Sequence, residues 1–103
     1  MNHRIDFAEL DWVAAAPGAR FKAFDRDGSR LRLLELTPRF IEADWCRKGH
    51  IGVVLEGRLE IDFSGRVERF EPGQALFIPS GEPSQHKAHA LSERVLLFVV
   101  EQA

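Results

Sequence analysis

The sequence predicts a single small all-β domain in which short strands close on themselves, and three observations carry that prediction. Glycine-bearing turn pairs recur at short intervals from Asp27-Gly28 onward. Residues 59–63 alternate strictly, with Leu59, Ile61 and Phe63 on one side and Arg58, Glu60 and Asp62 on the other, the period of a half-buried strand. Helix-like texture is confined to the first 19 residues. A chain of 103 residues suits one core.

Taken in order, residues 1–19 read as an N-terminal segment packing on the barrel. It is helical over about Phe7–Ala16 and is stopped by Pro17-Gly18. Residues 20–103 read as the barrel. Asp27-Gly28 separates strands over Phe21–Phe24 and Leu31–Leu36, and Glu56-Gly57 separates Ile51–Leu55 from Leu59–Phe63. Ser64-Gly65 leads into Val67–Phe70, since glycine supplies the positive φ that tight hairpins need. Pro72-Gly73 and Pro79-Ser80-Gly81 mark two corners around Ala75–Ile78. Val95–Val100 is apolar on both faces, so something must cover its outer side. That cover is either residues 5–16 or a second copy, and a homodimer is the assembly expected. Phe63, Phe77 and Phe98 read as core, Trp12 as core or lid, and Trp45 as facing away from the interior.

Composition excludes several classes. Net charge is −2 with both signs interspersed, so no basic stripe awaits nucleic acid. No apolar run reaches membrane-helix length. Asp6, Glu9 and Asp11 break any signal-peptide layout, and Cys46 is the only cysteine, so a reducing, cytoplasmic setting is expected. Nucleophile elbows and glycine-rich phosphate loops are absent.

From about Leu33 to Val100 the chain resembles the cupins. Their first motif runs G-x5-H-x-H-x3-4-E-x6-G and their second G-x5-P-x-G-x2-H-x3-N. Gly73, Pro79 and Gly81 stand at the second motif's spacing in GQALFIPSG, and Gly57 in VVLEGRLEI matches the close of the first. The resemblance implies a jelly-roll-like barrel, the cupin double-stranded β-helix, with an inward metal site. At the family's ligand positions, however, this chain carries Asp44, Cys46, His50 and Ser84, with Ala88 at the final asparagine. The usual three-His-plus-Glu set therefore does not carry over.

Donor residues still cluster there. Asp44 and Cys46 are two apart, as are Ser84 and His86, so on strands each pair shares a face. A centre on Cys46, His50 and His86 is expected, with Asp44, Ser84 and Glu82 lining the pocket or supporting the ligands from behind. Either Ser84 or His86 is the inward residue, because one bulge exchanges the two. A thiolate with two imidazoles suits zinc, nickel, iron or copper. The expected function is a metal-dependent enzyme acting on a small molecule. The alternatives are a non-catalytic sensor-like module binding a small molecule or metal, and a metal-free barrel.

Overall fold

The computed structural model describes residues 2–103. Its nine strands are β1 (Val13–Ala16), β2 (Ala19–Arg26), β3 (Ser29–Leu36), β4 (His50–Glu56), β5 (Leu59–Phe63), β6 (Arg66–Phe70), β7 (Ala75–Ile78), β8 (Lys87–Ala90) and β9 (Val95–Gln102). They form a six-stranded sheet, ordered β1-β2-β3-β9-β4-β7, and a three-stranded sheet, β6-β5-β8. Every pairing is antiparallel. Among the described residues no helix is long and apolar enough to cross a membrane.

The two sheets face each other across the core. Leu36, Val54, Leu76, Ile78, Val95, Leu97 and Val99 come from the large sheet and Leu59, Ile61 and Ala90 from the small one; all are buried. Alternation explains this in β9, where Val95, Leu97 and Val99 point inward and Leu96, Phe98 and Val100 outward. The turns form where glycine placed them. Arg26 pairs with Ser29 across Asp27 (φ 51) and Gly28 (φ 78). Two successive positive φ values make the tight mirror-image turn that matches strand twist.

The N-terminal helix is not there. Phe7–Glu9 forms one 3₁₀ turn, started by the Asp6 carboxylate accepting from Ala8 N–H, and Val13–Ala16 is an edge strand of the large sheet. Pro17-Gly18 is thus a hairpin turn rather than a helix stop, with Ala16 facing Ala19. Gly18 has φ 81, and a Cβ there would meet Phe40 N and Thr37 Oγ1, so only glycine fits the corner. Val-Ala-Ala-Ala has no alternation to reveal a strand, and the edge offered by β2 overrides the helix preference of alanine.

The outer face of β9 is partly covered by this segment: Phe7 meets Phe98 edge-on at 6.1 Å, held by Lys22 Nζ donating to Phe7 O at 2.8 Å. Three aromatic expectations need correction. Phe77 is 75% exposed, because it sits one residue out of phase with the inward Leu76 and Ile78. Phe98 packs outside the barrel. Trp12 is neither core nor lid; the Arg20 guanidinium lies 4.2 Å from its ring and Lys22 Nζ 5.0 Å, a cation–π stack. Trp45 is partly exposed beneath Lys87.

Candidate metal centre

Three donors converge at one end of the interior. His50 opens β4 and pairs with Ile78, which puts it on the inner face. Cys46 lies in the connection between β3 and β4, and His86 directly precedes β8. Their backbones form an isolated antiparallel bridge, with Cys46 N–H donating to His86 O and His86 N–H to Cys46 O, both at 2.9 Å. The thiol and the two imidazoles each offer one ligand atom, and these lie within 4.8 Å of one another. Cys46 Sγ is 3.8 Å from His50 Nε2, and the two imidazoles meet edge-on at 5.3 Å.

The partners of each ring fix which nitrogen is available. His86 Nδ1 lies 3.0 Å from Ser84 O. A carbonyl only accepts, so Nδ1 carries the proton and the neutral ring presents Nε2. His50 Nδ1 lies 2.8 Å from Glu101 Oε2. Glu101 is charged: burial pushes its carboxyl up, but the hydrogen bond from His50 and the charges of Arg32 and Lys48 outweigh this and pull it down to about 2. His50 Nδ1 therefore donates, and Nε2 faces Cys46. Such carboxylate–imidazole pairs set the orientation of metal-binding histidines.

Glu101 has more than one cation around it. Its side chain is 1% exposed, with Arg32 Nε 2.7 Å and Lys48 Nζ 3.5 Å from Oε1. The Arg32 Nε contact is an ion pair off the N–H axis, because that nitrogen makes no aligned hydrogen bond; Arg32 Nη2 donates to Oε2 instead, at 3.2 Å.

The donors open into a cavity of about 420 Å³. Leu34, Leu36, Leu97 and Val99 form one wall and Leu59 and Ile61 the other, with Phe40 and Glu42 from the β3–β4 connection. Arg30, Arg32 and Lys48 line it near Glu101. The rest of the lining is mostly aliphatic, so the polar groups are gathered chiefly around Glu101 and the three donors.

The structure brings Cys46, His50 and His86 together, and of the flanking residues expected beside them only Ser84 reaches the centre, through its backbone carbonyl. Asp44 is exposed in a bend, so strand alternation does not extend to it from Cys46. Glu82 and Ser84 belong to a 3₁₀ turn. Glu82 is exposed there, and Ser84 contributes its carbonyl rather than its hydroxyl. Neither these two nor Asp44 lines the cavity. The same turn breaks the period of two and leaves His86 inward, 4% exposed, while His89 is exposed. Glu101 was not foreseen. The signal was its parity with Val95, Leu97 and Val99, which places a carboxylate on an inward position.

The donor set fits a divalent ion: one thiolate and two imidazoles bind zinc and other transition metals, and three protein ligands leave a position for water or substrate.

Comparison with known proteins agrees with this architecture. KdgF from Halomonas sp. superposes with a TM-score of 0.80 at 20% identity, covering 100% of this chain and 96% of that one. The polyketide cyclase RemF from Streptomyces resistomycificus gives 0.80 at 23%, covering 99% and 80%. An HTH_3 family transcriptional regulator from Vibrio cholerae gives 0.67 at 13%, covering 84% of this chain and 51% of the regulator. Identities this low show the fold alone. No curated protein matches the chain. The family model for the cupin domain matches residues 46–101, just over half of the sequence, and the chain therefore belongs to the cupin family.

Proposed function

We propose that this cupin holds a divalent metal on Cys46, His50 and His86 and acts on a small molecule in the adjoining cavity. The observation carrying this is the approach of three ligand atoms to within 4.8 Å at the end of a largely apolar pocket. A bound metal would polarise a substrate oxygen or lower the pKa of a water molecule. The chain's own groups do the rest. Glu101 keeps the proton on His50 Nδ1, Ser84 O keeps that of His86, and the leucine walls exclude bulk water. A relative named as a polyketide cyclase supports catalysis by a barrel of this shape. The second reading, a sensor module without turnover, is supported by the barrel's likeness to half of a transcriptional regulator. The unpaired thiol suits a cytoplasmic protein.

Metal content decides the first step. Protein purified without chelators and exposed to zinc, nickel, copper and iron should hold about one metal per chain. Cys46→Ser, His50→Ala and His86→Ala should each bind it more than ~100-fold more weakly, since loss of an orienting partner alone costs about 10–100-fold. Trace metal in wild type would leave the metal-free barrel standing. Full metal in all three variants would refute the ligand assignment.

A homodimer is part of the same proposal. Ile51 (52% exposed) faces Phe77 (75% exposed) across β4 and β7 on the outer sheet face, continuous with Val100, and apolar surface of this kind favours association. Sedimentation at micromolar concentration should give twice the chain mass; a value near 11.7 kDa would refute it.

A further inference from the structure

We propose that the cavity takes a small monocarboxylate, its charged group held at Lys48 and its apolar body lying along Leu34, Leu36, Leu97 and Val99. This rests on the cavity being the ligand site, as above, but not on the metal being the anion's partner.

The basis is a count of charges at the end where Glu101 lies. Three cations line the cavity there, Arg30, Arg32 and Lys48. Two carboxylates answer them. Asp25 takes both Nε and Nη2 of Arg30, at 2.8 and 3.0 Å, and Glu101 takes Arg32. Lys48 is left over. Its Nζ pairs with Glu101 Oε1 only at 3.5 Å, longer than a good hydrogen bond, so the ammonium can turn its donors to a closer acceptor. It is half-exposed at the cavity's edge and can hold an anion without unpairing a buried group. The remaining carboxylate on the lining, Glu42, stands toward the opposite sheet, where Oε1 accepts from Ala88 N–H.

Charge and shape then select the ligand. Each guanidinium already faces a carboxylate, Arg30 bidentate on Asp25 and Arg32 against Glu101, so neither charge is free to serve as the bidentate cradle that a phosphate prefers. Three cations against two carboxylates leave one positive charge in excess, which balances one negative charge. Beyond it the walls are aliphatic, which favours an apolar chain or ring. Glu101 joins the two ends: Oε1 faces Lys48 and Oε2 holds His50. Lys48 and His50 thus flank one carboxylate, so a ligand seated at Lys48 would lie on the side of the cavity that holds the Cys46–His50–His86 centre.

The test compares hexanoate, hexanamide and pentyl phosphate by titration calorimetry, on zinc-loaded and on chelator-treated protein. Hexanoate should bind about tenfold more tightly than hexanamide in both forms, as expected for one charge pair in a partly dry site. In Lys48→Met, checked for an unchanged melting temperature, the preference should fall to about unity, and Lys48→Arg should restore it. Equal binding of acid and amide would overturn the proposal, as would no binding of either at millimolar concentration. Tighter binding of the phosphate would overturn the monocarboxylate assignment. A preference present only with zinc and indifferent to Lys48 would assign the anion to the metal instead. Conversely, a preference that persists in protein unable to bind zinc would uphold this site while refuting the metal centre.

Discussion

Glu101→Leu is expected to destabilise the fold by about 3–5 kcal/mol, the typical cost of removing one partner from a buried ion pair. The carboxylate is 1% exposed and is shared by Arg32, Lys48 and His50. Arg32 is itself only 18% exposed and would be left facing an apolar side chain. Glu101→Gln should cost less, because the amide oxygen still accepts from His50 Nδ1. The same group gives the protein an acid limit. Its carboxyl is held at about 2 against an ordinary 4.5, so the folded state binds its proton more weakly than the unfolded chain. The stabilisation is complete above about pH 4.5 and drains away as pH falls toward 2; a difference of this size is worth ~3 kcal/mol. Urea denaturation at several pH values reads both effects. In Glu101→Gln the slope of stability against pH should flatten over that interval. A Glu101→Leu midpoint indistinguishable from wild type would remove the network from the account of stability.

Zinc added to chelator-stripped protein should raise the melting temperature by about 15 °C or more. A ligand at a thousand times its dissociation constant adds about 4 kcal/mol to a fold it binds only in the native state, and each kcal/mol moves a domain of this size by roughly 4–8 °C. His86→Ala should reduce the rise to a few degrees, since two donors remain. A wild-type shift no larger than that of the variant would mean that Cys46, His50 and His86 are packed together without binding. Cys46→Ser separates the thiolate from the imidazoles, because two histidines still hold copper or nickel more readily than zinc.

What could be read from residues alone follows from where the determinants lie in the chain. The hairpins were legible because their signals are local: Asp27-Gly28 and Ser64-Gly65 carry the positive φ pairs themselves. His50 was legible through its offset from Gly57. Val13–Ala16 was not, because an alanine run has no period and its strand exists only where β2 offers an edge. Asp44 misled because alternation was extended into a bend, and Glu82 because its 3₁₀ turn faces solvent, while Ser84 in the same turn supports His86 by its carbonyl. Phe77 was misjudged by residue type when its phase with Leu76 and Ile78 already pointed outward. Glu101 was hidden in the opposite way. Its partners Arg32, Lys48 and His50 are all more than 50 residues away in sequence, so only the pairing of β9 with β3 and β4 brings them to it.

The backbone bridge between Cys46 and His86 has a kinetic consequence. Two main-chain hydrogen bonds set the spacing of these donors before anything binds, and Glu101 and Ser84 O hold the two rings in place. Capture of an ion then needs little ordering of the chain, and release needs no unfolding. An ion bound on Cys46, His50 and His86 would then exchange on the timescale of its own dissociation, and its identity would follow the supply of the compartment rather than the history of folding.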